Sequence, residues 1–319
     1  MNHRGKKMSV ADLRDLVIGK FSDVNYFVKS LLLLKSPSNA KQYLLDIHKR
    51  TFPDGDGNKK TKWHEYPNRP DGVTPIKNRH LTDPKFLQKH ANTLSFDMSR
   101  FIEFLTGYNQ VEPNIQPIML HYSIIYLFDF FSRTWLKYEQ NLGHGMKLNS
   151  NSNKLTVKIA RRNGLFQRTV DSFYLINQPS IFSLDEDEGI QYELNETQEP
   201  ISERIGKLEY FSEPEKELTE FIALYEKLKM IKGGVNKSND ILLGYSILFG
   251  MSSISRYRAQ EWHNICQDRD MKNKMDLILY DFLYYWIPEL LRLTVMKSGI
   301  GRRKSVSKTI QQIPGTDIQ

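Results

Sequence analysis

The chain has one cysteine, Cys266, in 319 residues, and charges interrupt its apolar runs. A single thiol excludes an internal disulfide framework and a cluster of thiolate ligands, so we expect a reducing, cytoplasmic environment. The most apolar stretches, Ile115–Phe131 and Asp276–Val295, include Asp129 and Asp281. They therefore predict buried helices and no membrane span. Because no long apolar core follows the basic N-terminus, we also expect no secretory signal.

The sequence also lacks the local motifs of several enzyme classes. It contains no Walker loop, no GxSxG nucleophile elbow and no metal ligands at a recognisable spacing. His64-Glu65 lacks the second histidine of a zinc-protease helix. Residues 54–65 place acidic and amide side chains at calcium-loop positions, but Lys59 occupies the turn position that requires glycine. A solvated turn is the favoured interpretation of this segment, and we expect no metal and no cofactor.

What the chain has in quantity is apolar, aromatic and basic side chains. Hydrophobic residues make up 39% and aromatic residues 12% of the sequence, which predicts a folded globular protein. The formal net charge is +8 and the sequence pI is about 9.2. A positive excess favours acidic partners, nucleic acid above all, whereas a lysine-rich solvated surface is the alternative.

Helical periodicity dominates most of the chain. The stretch Asp240–His263 begins with apolar residues three and four apart, and Pro117 opens a second strongly apolar helix that carries His121. We expect these two helices to pack on each other, because either would leave a large apolar patch if exposed. A lone histidine in an apolar helix is typical of the core, although a site is the alternative. Asn264–Lys274 is interpreted as a polar break before a last helix that bends at Pro288.

One segment has the period of a β-strand. Residues Lys154–Glu193 begin with strict alternation, and Asn163-Gly164 is a hairpin turn signal, after which the strand is predicted to continue through Thr169 and Val170. Five cations gather on this predicted sheet: Lys154, Lys158, Arg161, Arg162 and Arg168. They form a candidate nucleic-acid-binding surface, while a solvated face or protection of a sheet edge is the alternative.

These patterns predict a mainly α fold, in which a single bundle-like helical domain carries a small β-hairpin insertion. The predicted parts are an N-terminal helical extension at 1–38, a helical domain at 39–300 with the insertion at about 154–193, and a flexible basic tail at 301–319.

Four segments, taken in order, carry a family resemblance. They are SPSNAKQYLLDIHKR at Ser36–Arg50, NIQPIMLHYSIIYLFDFF at Asn114–Phe131, GHGMKL with NGLFQ downstream, and LLGYSILFGMSSISRYRAQEW, which contains Arg256, Tyr257 and Trp262. Together they resemble the YaaC-like proteins of bacteria, a helical family without an agreed activity. The resemblance covers roughly residues 36–300 and implies the fold more than the function.

A second and looser resemblance concerns chemistry. Arg258 and His263 are separated by four residues, and Arg256 and His263 by six. This spacing resembles the Arg–His motif of HEPN-type helical proteins, many of which are metal-independent ribonucleases. Histidine would transfer the proton of an RNA 2′-hydroxyl while arginine stabilises the charged phosphorane. The alternative is that Arg256, Arg258 and His263 serve packing and the helix end, with Trp262 buried.

Two functional hypotheses follow from the sequence. The first is a non-enzymatic or weakly catalytic interaction protein, a subunit of a bacterial antiphage defence assembly or a homo-oligomer, acting near nucleic acid and not at a membrane. The defence setting comes from the resemblance to HEPN-type proteins. The second is a HEPN-like ribonuclease that uses an Arg/His pair. For the first hypothesis we expect Trp262 buried, at least one arginine engaged internally and His263 partly exposed.

Overall fold

The computed structural model describes residues 31–53, 72–138, 146–151, 154–159, 189–193, 201–202, 238–288 and, singly or in pairs, 169, 172, 218–219, 222–223, 225–226 and 291. The helices with defined ends are α1 (Pro37–Thr51), α2 (Asn78–Leu81), α3 (Pro84–Gly107), α4 (Gln116–Trp135), α5 (Ser238–Tyr257), α6 (Ala259–Gln267) and α7 (Arg269–Asp281). A 3-10 turn, Tyr108–Gln110, follows α3, and a π-helical turn, Phe282–Trp286, follows α7. The expected mainly α fold with a small β part is confirmed.

Local chemistry explains where several of these helices begin. Proline lies in the first turn of α1, α3 and α4, where the missing N–H would have no helical partner in any case. Asp83 caps α3 by accepting a hydrogen bond from the Lys85 amide, and Asp268 caps α7 by accepting from the Asp270 and Met271 amides. Each aspartate satisfies amides that the first turn of a helix leaves without a partner.

The core forms where α4 packs against both α3 and α5, and α1 packs on α3. Phe128 of α4 lies 5.1 Å, centroid to centroid, from Tyr245 of α5, and Phe128 and Leu248 are fully buried. The ring of His121 lies 5.8 Å from that of Tyr245 and 5.5 Å from that of Phe249. The predicted packing of these two helices is therefore confirmed, and His121 is a core residue.

The C-terminal end of α4 is buried, and its last four carbonyls all accept hydrogen bonds. The donors are the Leu136 amide to Ser132, His90 Nε2 to Arg133 (2.6 Å), His48 Nε2 to Thr134 (2.7 Å) and the Ile76 amide to Trp135 (2.9 Å). Neutral imidazoles with the proton on Nε2 can donate in this way, and burial lowers the pKa of both His48 and His90 to about 4. Two side chains from α1 and α3 thus complete a helix end that water cannot reach.

Two small sheets accompany the helices. Thr74–Pro75 (β1) pairs with Leu136–Lys137 (β2), directly after α4. The larger sheet is antiparallel throughout, in the order β3 (Met146–Asn151), β4 (Lys154–Ile159), β5 (Gly189–Glu193) and β6 (Ile201–Ser202). β3 and β4 form a hairpin, and both contact α5.

The strand predicted from the alternation at Lys154 is confirmed, but the strand predicted through Thr169 is wrong. Thr169 and Ser172 are helical and fully buried, and the Thr169 hydroxyl lies 3.1 Å from that of Ser132 on α4. The apolar residues Phe166, Val170 and Phe173 are three and four apart in the sequence, which is the helical period that the sequence interpretation missed. The Asn163-Gly164 turn lies outside the described residues, as do residues 54–71, which include the calcium-like segment, and residues 301–319.

The polar break predicted at Asn264–Lys274 is also wrong. That stretch belongs to α6 and α7, and the chain leaves the helical conformation only at Asp268, where φ is −71° and ψ is 113°. The Asp268 cap lets α7 begin directly after α6 ends. Near Pro288, where a bend was expected, the helix widens into the π-helical turn Phe282–Trp286. No helix of the described residues is long and apolar enough to cross a membrane.

Candidate functional site

The Arg–His segment lies where α5 ends and α6 begins. Arg258 separates the two helices with φ −138° and ψ 64°, and its amide still bonds to the Ile254 carbonyl. The Asn114 carbonyl, just before α4, accepts hydrogen bonds from Ser255 Oγ (2.9 Å) and from the Trp262 indole N–H (3.0 Å). One carbonyl therefore joins α5 and α6 to the start of α4 across this break.

Arg256 is held by the protein itself. Its Nε donates to the Ser252 carbonyl (3.0 Å) and its Nη1 to the Tyr122 hydroxyl (2.8 Å). The guanidinium carbon lies 5.4 Å from the centre of the Tyr122 ring and 4.9 Å from that of Tyr257, which is within cation–π range. The remaining N–H groups, on Nη2, have no acceptor among the described residues. Arg256 is thus a fixed cation with donors left for a ligand.

The break at Arg258 separates Arg256 from His263. The two side chains could share a face only on an unbroken helix, and α5 ends at Tyr257. His263 lies on α6 and is exposed, whereas Trp262 is buried with 4% of its surface accessible. The expectations of a buried Trp262 and of an internally engaged arginine are confirmed, and His263, which we expected to be partly exposed, is exposed. Arg258 is half-buried at the start of α6.

Two further titratable groups, Cys266 on α6 and the buried Asp97 on α3, have shifted pKa values. Burial raises the pKa of the half-buried Cys266 thiol, which disfavours the reactive thiolate. Burial and then the neighbouring Asp129 raise the pKa of Asp97 well above its usual range. Arg133 Nε lies 3.3 Å from Asp97 and 3.7 Å from Asp129, and both Arg133 and Asp97 are buried. Such a closed ionic group is typical of a structural role.

The five cations proposed for the sheet surface are only partly placed. Lys154 and Lys158 lie on β4, the second strand of the sheet, in register with Glu193 and Gly189 of β5. An even separation puts both positions on one face of that strand. The other three cations, Arg161, Arg162 and Arg168, lie outside the described residues.

The structure shows a surface that the sequence interpretation missed. Rings from two helices, α3 and α4, contact one another in succession: Phe96–Tyr126 at 6.0 Å, Tyr126–Phe104 at 5.7 Å and Phe104–Tyr122 at 5.4 Å. Arg256 then links Tyr122 to Tyr257. We call these five aromatic residues the aromatic row. Phe96 and Tyr257, at its two ends, are 49% and 75% exposed, so the row opens to solvent where it terminates.

Each end of the aromatic row carries an arginine. The guanidinium carbon of Arg100 lies 5.2 Å from the centre of the Phe96 ring, and that of Arg256 lies 4.9 Å from Tyr257. The spacing of Phe96, Arg100 and Phe104, four residues apart on α3, was visible in the sequence. This spacing does not predict an exposed aromatic surface, because spacing alone does not show which face of a helix is buried.

The chain matches no family model, no curated protein and no solved structure. The resemblances to YaaC-like and HEPN-type proteins therefore stay predictions. Among the described residues there is also no group of three or more His, Cys, Asp or Glu side chains that could hold a metal ion.

Proposed function

We propose that this chain is a non-enzymatic or weakly catalytic interaction protein that acts near nucleic acid, as a subunit of a larger assembly or as a homo-oligomer. The observation that carries the proposal is the fixed position of Arg256. Hydrogen bonds to Ser252 and Tyr122 hold its guanidinium in the aromatic row, on the other side of a helix break from His263. This arrangement suits a binding cation better than a catalytic partner of that histidine.

Charge and composition support the same conclusion. The net charge of +8 favours an acidic partner, and arginines beside exposed rings at both ends of the aromatic row supply cations where a ligand can reach them. The setting in a bacterial defence assembly is proposed from the resemblance to HEPN-type proteins, and the YaaC-like resemblance adds a helical family without an assigned activity.

Affinity purification of the full chain tests this proposal. The bound material is divided between mass spectrometry of proteins and extraction of nucleic acid, with and without nuclease treatment before elution. We expect nucleic acid to co-purify, together with at least one protein or with excess copies of the chain itself. Recovery of the chain alone, free of nucleic acid, would contradict the proposal.

The alternative function is a HEPN-like ribonuclease. Exposure of His263, and the position of Arg258 at the start of the same helix, favour it over other catalytic functions. Incubation of purified protein with labelled RNA in EDTA separates the two functions. We expect no cleavage that depends on His263. Cleavage that persists in EDTA and is lost in His263→Ala would favour the ribonuclease over the interaction protein.

A further inference from the structure

We propose that the aromatic row binds single-stranded nucleic acid, with bases on the exposed rings of Phe96 and Tyr257 and phosphates at Arg100 and Arg256. This inference rests on the proposed function and names its ligand class and its site. Neither arginine belongs to the sheet surface that the sequence suggested, so the two surfaces can be tested against each other.

The rings within the row and the rings at its ends have different surroundings. Phe104 stacks on Tyr122 and on Tyr126 with interplanar angles of 25° and 14°, so these three rings cover much of one another. Phe96 meets Tyr126 at 80°, edge to face, and Tyr257 is the most exposed large apolar side chain of the described residues. Stacking surface is therefore concentrated at the two ends, on rings that the inner part of the row supports.

The charges beside these rings fit a phosphate backbone. Arg256 is held by hydrogen bonds to Ser252, Tyr122 and Tyr257 and keeps the N–H groups of Nη2, so little side-chain entropy is lost when a phosphate binds there. Arg100 forms an ion pair with Glu103 at 2.9 Å, and both side chains are about half exposed. An exposed pair of this kind contributes little to stability, so a phosphate can replace Glu103 at small cost.

Pairing of rings with cations favours a single strand over a duplex. Stacking needs unpaired bases that can turn away from their neighbours, whereas a duplex presents its phosphates and conceals the faces of its bases. A protein partner with an acidic surface could use the arginines but would gain much less from two flat exposed rings. Aromatic rings with arginine nearby are the combination typical of sequence-tolerant single-strand binding.

Fluorescence anisotropy on the full chain, in EDTA, tests the inference. The probes are a labelled 20-nucleotide RNA of mixed sequence, the DNA of the same sequence, and the duplex of each. We expect both single strands to bind at least tenfold more tightly than their duplexes. Tyr257→Ala and Phe96→Ala should each weaken single-strand binding about tenfold, the effect of removing one stacking ring. Tyr257→Trp should retain binding, because it keeps a ring.

Tyr280→Ala is the matched control. Tyr280 lies on α7, outside the aromatic row, and is 54% exposed, so the same atoms are removed from another exposed helix surface. We expect this variant to bind like the unaltered chain, and circular dichroism should show that all variants fold. Equal binding of single strand and duplex, or equal effects of Tyr257→Ala and Tyr280→Ala, would overturn the inference.

The same experiment separates this inference from the proposed function. If nucleic acid binds but is released only when Lys154 and Lys158 are neutralised, the sheet is the binding surface. The proposed function is then supported, and the inference that the aromatic row binds nucleic acid is overturned. If the folded chain binds none of the probes, both are overturned. RNA and DNA arms that differ in affinity would identify which single strand the row prefers while supporting the inference.

Discussion

Two buried histidines show how single residues hold the fold together. His48 and His90 are distant in sequence from α4, yet each donates to a carbonyl at the end of that helix. Burial keeps both neutral, with the pKa lowered to about 4. A charged imidazole at either position would add an unpaired cation to the core. The stability of the fold therefore depends on pH through these two residues.

We expect acid to destabilise the protein between about pH 6.5 and pH 4. In the unfolded chain each histidine has a pKa near 6.5, so in this interval the unfolded state binds more protons than the native state. The stabilisation is present in full above pH 6.5 and is lost as the pH falls through the native value, by about 3 kcal/mol per histidine at pH 4. Asp97, whose pKa is raised, acts in the opposite direction and offsets part of the loss.

Urea unfolding at a series of pH values measures this effect. His48→Gln keeps an amide that can donate to the Thr134 carbonyl but removes the titration, so the variant should show a shallower dependence of the free energy of unfolding on pH, by about one proton. A slope that is the same in His48→Gln and in the unaltered chain would mean that His48 does not titrate on unfolding in this range.

Residue partners were the least predictable part of the site. The sequence indicated that His121 is a core residue and that Arg256 or Arg258 is engaged internally, since periodicity and helix-end position are local properties. It did not indicate that Tyr122, which precedes Arg256 by 134 residues, accepts its hydrogen bond. Likewise no pattern marks His48 or His90, because a helix face shows that a residue is buried but not which carbonyl it meets.

At the scale of elements, proline marks a helix start in the sequence more plainly than aspartate does. The sequence predicts that Pro117 opens a helix, and it lies in the first turn of α4. Asp268 was overlooked inside a stretch interpreted as polar. The segment around Thr169 was assigned the wrong period, because short apolar runs fit strand and helix equally until a neighbouring helix decides.

Asp268→Ala tests how much one N-terminal helix cap contributes to the stability of the protein. The Asp268 carboxylate accepts from the Asp270 amide at 2.8 Å and from the Met271 amide at 3.2 Å, and it starts α7 within one residue of the end of α6. Loss of both bonds should lower the free energy of unfolding by about 1 kcal/mol. Asp268→Asn keeps an accepting oxygen and should lose less. Thermal unfolding followed by circular dichroism compares the variants, and equal losses would show that charge, not capping, is what matters there.

At the scale of the whole molecule, composition indicated an acidic partner but not the surface that meets it. The sequence interpretation placed that surface on the sheet, where lysines and arginines cluster along the chain. The fold brings Arg100 and Arg256 to one aromatic row from helices that are far apart in sequence. Charge clustered along a sequence and charge assembled by tertiary packing are different signals, and only the first is visible without a structure.

The salt dependence of binding distinguishes these two surfaces, because each phosphate contact to a single strand contributes about −0.7 to the slope of log affinity against log salt. Arg100→Gln should therefore make the slope shallower by about 0.7. Tyr257→Ala should weaken binding with the slope unchanged, since stacking releases no counterion. Arg269→Gln, at an exposed position on α7, is the control and should alter neither. If Arg100→Gln behaves like Arg269→Gln while loss of Lys154 and Lys158 flattens the slope, the phosphates lie on the sheet and the aromatic row is structural.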